Sequence, residues 1–394
     1  MIPVGNNTNI TMPAGAKNSV GSTIASACFI VIVMLLTIMG NLLVCYSVFY
    51  YRRLRSPTNY LVVSLAVSDL LVGTLSLPFR LAQLLNEENW PSHLGREGCQ
   101  FWIWVDMLCS GASMVNLAGI SFDRLLAIKQ PLRYREKMTS KRALILILVV
   151  WIYAASCAFL SFVEWEGEST IAAYPQCGIR ARVYITLMAL AAFFCPLLIV
   201  IICYGMVLQV AIRHALQVQK EKEQIALNVS PEPNSNNHEE SGETSLASPP
   251  VIRLKTSRSS SHRKDINFAN GHAKHRNPAS STFHIMKQIK ATKTLAVVVG
   301  VFILCWFPFF VIFVTFQYCD TECFGEERIP PAVKRVLLII FVYVLPVSNS
   351  AANPIIYSCF NQEFRVAFLK IFYKMVGKRY RQKYDYYSTP TAYS

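Results

Sequence analysis

The sequence predicts an all-α membrane protein, a bundle of seven transmembrane helices, and two observations carry that prediction. Only 15% of the 394 residues are charged while 53% are hydrophobic, where a soluble domain carries about 25% charged residues. The deficit is also localised. Residues 18–51, 143–163, 183–212, 294–319 and 336–362 contain no Asp, Glu, Lys or Arg, and 56–79 and 98–122 contain one each, Asp69 and Asp106. A helix crosses the hydrocarbon core in about 20 apolar residues, so all seven runs suffice. Open sheets would leave backbone groups unpaired in lipid, and barrel strands span only about 10 residues.

Taken in order, the chain begins with a polar N-terminus, 1–21, carrying two glycosylation acceptor triplets that start at Asn6 and Asn9. The first apolar run starts too late and is too long for a cleavable signal peptide. The seven-helix domain follows over 22–358. Its first connection carries Arg52, Arg53 and Arg55, and its third carries Arg133, Arg135, Lys137, Lys141 and Arg142 against Glu136. The alternate connections carry Glu87, Glu88 and Glu97, then Glu164, Glu166 and Glu168. Basic loops stay cytoplasmic, which puts the N-terminus outside and the C-terminus inside, as in a multi-pass plasma-membrane protein. The net charge of +15 is therefore a topology signal, and no folded basic domain suggests a nucleic-acid partner. Between spans five and six, residues 219–282 are polar and rich in Ser, Asn and Pro, a composition expected to be disordered. Basic residues around Ser257, Ser259, Ser260 and Ser261 suit kinase sites there, and a solvated linker is the alternative. A tail, 359–394, closes the chain.

Most of the twelve cysteines lie within spans, where a thiol is a small apolar group. Cys99, Cys177, Cys319 and Cys323 fall at outer positions, where an oxidising exterior lets Cys99 pair with Cys177 and Cys319 with Cys323. Zinc competes for the last two, but no second ligand pair lies nearby.

Several polar groups interrupt the spans. Asp69 sits mid-span, where an unpaired carboxylate is costly. Ser113, Asn349, Ser350 and Asn353 offer oxygens at comparable depth, and Asn349 and Asn353, four apart, share a helix face. Such a set suits a small hard cation such as sodium, or else a protonated Asp69 in a neutral network. In the sixth span Pro308 leaves a carbonyl unpaired and bends the helix. Trp306, Phe309 and Phe310, at i, i+3 and i+4, form an aromatic wall beside that bend. Pro196, Pro346 and Pro354 are further points of bending. Asp123 and Arg124 lie about 25 Å below Asp106 by helical rise, and such a pair at a helix end is either a solvated surface pair or something more specific.

Asn41 in Gly-Asn-Leu-Leu-Val, Asp69 in Leu-Ala-Val-Ser-Asp-Leu-Leu, Asp123-Arg124, Trp151, Pro196 with Tyr204, Cys305-Trp306-Phe307-Pro308 and Asn353-Pro354-Ile355-Ile356-Tyr357 run in order, one mark per helix. With these marks, residues from about 25 to 373 resemble a rhodopsin-like (class A) G-protein-coupled receptor, a family of receptors and not of enzymes. The resemblance implies a short amphipathic eighth helix at Phe360-Asn361-Gln362-Glu363-Phe364 and beyond. It implies an allosteric sodium site of Asp69, Ser113, Asn349, Ser350 and Asn353 beneath Trp306, and no other cofactor. It makes Pro196, Met114 and Phe302 the relay from the ligand, with Pro308 and Pro354 at the bends. Arg124 is then the residue that holds the receptor closed and later meets the G protein, with Asp123, Leu132, Tyr204 and Tyr357 in the same machinery. Heterotrimeric G proteins are the implied partners, with arrestin and kinases at the third loop and tail, and lipid around the bundle. Two departures stand out: Asp123-Arg124 is followed by Leu125, and Gln288 stands where the sixth helix usually has an acid. The missing acid predicts raised basal signalling.

Asp106, seven residues after Cys99, falls two turns into the third helix. By resemblance it is the ammonium-binding aspartate of biogenic-amine receptors, with Phe309 and Phe310 as the ring partners of the cation and Tyr343 on the seventh helix. The fifth helix offers Met188, Ala189 and Ala192 where several amine receptors place hydroxyls, so a catechol would leave its own hydroxyls unpaired. Val344 and Val347 stand where such receptors carry Trp and Tyr. Arg80, near the outer end of the second helix, either pairs with Asp106 or receives a ligand carboxylate. The implied ligand is a small extracellular amine, with a peptide or zwitterion as the alternative. A retinal-linked pigment is excluded because 336–362 contains no Lys. A seven-helix transporter finds no support in any internal repeat.

Overall fold

A computed structural model describes residues 20–130, 133–165, 167, 169–172, 175–228, 278–319 and 330–377. The acceptor asparagines Asn6 and Asn9, Leu132 and Cys323 fall outside these residues. The chain divides into two compact units, Met1–Ala211 with Phe283–Ser394, and Ile212–Thr282.

Among the described residues, seven helices are long and apolar enough to cross a membrane. In chain order they are α1 (Val20–Tyr50), α2 (Pro57–Leu85), α3 (Gly95–Lys129), α4 (Ser140–Phe159), α5 (182–228), α6 (Pro278–Tyr318) and α7 (331–360), followed by α8 (Gln362–Met375). Among the described residues the only extended pairing is one bridge, Ile171 with Ile179. The ends of the segment expected to be disordered are helical: α5 runs to Asn228 and α6 begins at Pro278. Gln217-Val-Gln-Lys-Glu-Lys-Glu-Gln224 is made almost wholly of strong helix formers, and Gln219 donates to Glu223 one turn on at 3.2 Å. Residues 229–277 fall outside the described ones.

Local chemistry sets the helix starts. Ser56 accepts from the Asn59 N–H at 3.3 Å with Pro57 at the first helical position of α2, and Thr139 caps α4 by accepting from Arg142 at 3.4 Å. Asn361 caps α8 through Glu363 and Phe364 at 3.0 and 3.4 Å. The buried face of α8 is Phe364, Ala367 and Ile371, and Phe364 stacks on Tyr357 of α7 with ring centroids 5.5 Å apart.

The third span is the most enclosed, 61% buried along its apolar window against 28% for α1 and α4. It packs on α2 and α4, while α1 packs on α2 and α7. Two of the expected per-helix marks tie one helix to another. Asn41 Nδ2 donates to the carbonyls of Thr37 and Ser350, at 2.9 and 3.1 Å, joining α1 to α7. Trp151 Nε1 donates to Ser64 Oγ at 3.0 Å, joining α4 to α2. Cys99 is disulfide-bonded to Cys177, fastening the start of α3 to the α4–α5 connection, and Cys319 is also disulfide-bonded.

Three spans contain one widened, π-helical turn each: Val72–Ser76 in α2, Ala189–Phe194 in α5 and Ile339–Val344 in α7. Each turn ends two residues before a proline, Pro78, Pro196 and Pro346. Proline has no N–H to give and its ring crowds the carbonyl four residues back. The residue just before it bonds five back instead, Leu77 to Val72, Cys195 to Leu190 and Leu345 to Ile340. Pro308 lies within α6 with no such turn among the described residues.

Gly40 of α1 lies directly against Pro354 of α7. A Cβ there would lie 2.8 Å from both Cβ and Cγ of Pro354, a rigid ring that cannot swing aside. Gly40→Ala should therefore force the helices apart at about 1–3 kcal/mol. The expected result is a lower melting temperature of the detergent-solubilised protein; an unchanged melting curve would contradict this packing.

After α2 the chain turns through Asn86–Asn89, and both Glu87 and Glu88 adopt left-handed backbone, with φ of 55° and 64°. For residues with a Cβ this costs roughly 1–2 kcal/mol each. Gln83 holds the turn from both sides: its carbonyl accepts from the Glu88 N–H at 3.0 Å, and its side chain donates to the Glu88 carbonyl at 3.3 Å.

Candidate functional site

A cavity of about 110 Å³ opens between the helices near the Cys99–Cys177 disulfide. A bound water occupies roughly 10–15 Å³ on the same measure, so there is room for a small organic molecule. Asp106, Trp306, Phe309, Phe310, Tyr343, Met188, Ala192 and Arg80 all line it, drawn from α2, α3, α5, α6 and α7. Among the lining residues only Asp106 and Arg80 are charged.

Asp106 is half-buried on α3, and its Oδ1 accepts from Ser76 Oγ at 2.5 Å. Ser76 closes the π-helical turn of α2, and its carbonyl accepts from Trp102 Nε1 at 3.2 Å. The turn thus sets the serine, and the serine sets the carboxylate. Arg80 does not pair with Asp106. It makes two bonds to Glu88, at 2.7 and 3.3 Å, and one to Gln83 Oε1 at 3.2 Å, with its guanidinium 4.8 Å from the centre of the Tyr343 ring. The left-handed turn at 87–88 brings Glu88 within reach, an arrangement invisible from spacing alone.

The aromatic wall is longer than the three expected rings. Phe193 of α5 stacks on Phe310 at 4.2 Å and lies 6.4 Å from Phe302. Trp306 meets Phe309 edge-on at 5.4 Å, and Phe309 stacks on Phe313 at 5.2 Å. The expected relay residues Met114 and Phe302 line the deep end and are buried. Phe193 has a sequence signal in hindsight, since it lies three residues before Pro196 in the stretch that the proline widens. Ser76 has one too, one helical turn before Arg80 and so on the same face.

Ser113, Asn349 and Ser350 form part of the cavity lining, whereas Asp69 and Asn353 do not reach it. Asp69 is fully buried; its Oδ2 accepts from Asn353 Nδ2 at 2.8 Å, and its Oδ1 has no hydrogen-bond partner among the described residues. Ser113 exchanges a hydrogen bond with Ser68 at 2.8 Å. A buried carboxylate with Asn353 and Ser350 beside it, and one oxygen outside any hydrogen bond of normal geometry, fits a small hard cation.

At the far end of α3, Asp123 is fully buried and Arg124 nearly so, which excludes a solvated surface pair. Arg124 Nη2 reaches Asp123 Oδ2 at 2.5 Å and also bonds to Thr58 Oγ1. Thr58 donates to Asp123 at 2.5 Å, and Tyr134, from a single helical turn at Tyr134–Lys137, donates to its other oxygen at 2.8 Å. Burial, and then the charge of Asp123, push the Tyr134 phenol up to about 12. Tyr204 and Tyr357 keep hydroxyls without hydrogen-bond partners among the described residues. The side chain of Gln288 falls outside those described.

Comparison with known proteins adds the family. A model of the 7 transmembrane receptor (rhodopsin family) matches residues 40–357. A probable G-protein coupled receptor, No18, of Amphibalanus amphitrite is 32% identical over 91% of this chain and 92% of its own length. The D(1A) dopamine receptor of Didelphis virginiana is 31% identical over 88% of this chain and 72% of its own. A D(5)-like dopamine receptor of Takifugu rubripes is 33% identical over 88% and 66%.

Proposed function

The chain belongs to the rhodopsin family of seven-transmembrane receptors, and from that premise we propose that it binds a small cationic amine and signals through heterotrimeric G proteins. The carrying observation is Asp106, a carboxylate in a ring-lined cavity and held by Ser76. An ammonium group there gains a charge-assisted bond and the faces of Trp306, Phe309 and Phe310. Two relatives are dopamine receptors by name, which supports the amine class. Along α5 the cavity is lined by Tyr184, Ile185, Met188, Ala192 and Phe193, of which only Tyr184 carries a hydroxyl. A catechol would meet at most one hydroxyl on that side, so the favoured ligand is an arylalkylamine without catechol oxygens.

Basic connections on one side of the bundle favour a multi-pass plasma-membrane protein with its N-terminus outside and C-terminus inside. Arg124 and its neighbours would then face the G protein. The test is a panel of amines and peptides on cells expressing the receptor, read by G-protein activation against cells without it. Activation by amines with no response to peptides is the expected result. Activation by peptides alone would replace this reading.

We further propose that sodium, held by Asp69, Ser113, Asn349, Ser350 and Asn353, stabilises the signalling-inactive state. Asp69→Asn, which keeps the shape and removes the charge, should abolish any effect of sodium on agonist affinity. The check is agonist competition binding in sodium against an impermeant organic cation. A sodium effect that persists in the variant would remove Asp69 from the site.

A further inference from the structure

The cavity holds a positive charge that an amine receptor has no use for. Arg80 lines the same space as Asp106, and on α2 it follows the serine that holds Asp106 by four residues, about one helical turn. Left alone, Arg80 would cancel Asp106 and present its planar donors to any carboxylate entering the cavity. It is not left alone. Three of its donor bonds go to Glu88 and Gln83, and its face lies against Tyr343. The Arg80 side chain is 11% exposed and that of Glu88 25%, so the pair is shielded enough to matter, unlike an open surface bridge. Glu88 is delivered by two consecutive non-glycine residues in left-handed backbone, a conformation that persists only where the surroundings impose it. Gln83 supplies that constraint on the turn while also bonding Arg80.

We propose that Glu88 is a specificity-determining residue: by occupying Arg80 it leaves the cavity one net negative charge, so the receptor takes an amine and rejects the matching amino acid. The inference rests on the amine reading and narrows its ligand class to monocations without a carboxylate. With Glu88 neutralised, Arg80 opposes an ammonium at Asp106 and at the same time can bind the carboxylate of a zwitterion.

The experiment compares two matched pairs differing by one carboxylate, phenethylamine with phenylalanine and tyramine with tyrosine. Potencies are read by G-protein activation on wild type, Glu88→Gln, and Glu88→Gln combined with Arg80→Gln, with protein amount followed by a C-terminal fluorescent fusion. Wild type should prefer each amine. Glu88→Gln should lower the amine-to-amino-acid potency ratio at least about tenfold, the scale expected when a shielded charge loses its partner. The double substitution should restore the ratio, because the cation that caused the change is gone. A ratio that Glu88→Gln leaves within about threefold of wild type, or a drop that the second substitution does not reverse, overturns the inference while the amine reading stands. A wild-type receptor that answers neither amine overturns both.

Discussion

Asp106→Ala is expected to lower amine potency by about thirtyfold or more, because removing one partner of a shielded charge pair costs about 2–5 kcal/mol and each 1.4 kcal/mol is tenfold. Two parts of the site should survive the change. The rings of Trp306, Phe309 and Phe310 still offer their faces, worth about 0.5–2 kcal/mol to a cation, so binding weakens rather than vanishes. Ser76 keeps its place because the α2 turn and the Trp102 indole fix it independently of the aspartate. The variant should therefore fold and reach the membrane while its dose–response curve moves to much higher concentration. Unchanged potency in a functional assay, at equal receptor abundance, would rule out the carboxylate as the ammonium's anchor.

Asp123→Asn should raise ligand-free signalling several-fold. Asp123 is the carboxylate against which Arg124 is held, at 2.5 Å and away from water, and breaking a buried pair by removing one member costs about 3–5 kcal/mol. On the proposed reading, in which Arg124 leaves Asp123 to meet a G protein, part of that loss would fall on the closed state alone, and only this difference would shift the equilibrium. No Asp or Glu occurs in 278–318, so α6 offers no carboxylate of its own to hold the arginine. The closed state leans on Asp123 and on the hydroxyls of Thr58 and Tyr134 that bond to it. With its phenol pushed up to about 12, Tyr134 remains a donor throughout the physiological range, so basal activity should not respond to pH through this group. Nucleotide exchange on a G protein in ligand-free membranes measures the effect, and exchange equal to wild type would show that the pair does not restrain Arg124.

The bundle was legible because lipid forbids charge: seven runs nearly free of Asp, Glu, Lys and Arg became seven spans. The chemistry of the cavity was legible for a related reason. A carboxylate or guanidinium in such a run has to face something polar, and Asp106 and Arg80 do share one space. Their partners were not legible, because partners depend on backbone geometry more than on composition. Glu88 reaches Arg80 only through a left-handed turn that no side chain announces. Ser76 shares a face with Arg80 one turn on, but its bond to Asp106 is a contact between two helices that spacing along α2 does not give. Pro196 and Pro346 mark irregularity in α5 and α7 but not its form, and Pro78 stands in the same relation to the α2 bulge. Residues 219–228 misled through composition, since a polar, charged stretch reads equally as loop or as solvated helix until its neighbours extend it.

The three widened turns also set a phase. An α-helix advances about 100° per residue, so one residue accommodated in a bulge rotates everything beyond it relative to everything before. In α2, Asp69 lies on one side of its bulge and Arg80 on the other. The same strand of sequence therefore keeps two separate angular registers, one for the deep polar cluster and one for the mouth of the cavity. Losing a single residue within 72–76 would leave the deep register intact and turn Arg80 away from Tyr343 and Glu88. Ligand preference in this scaffold can thus be redrawn by length as readily as by side chain, with the machinery at Arg124 untouched.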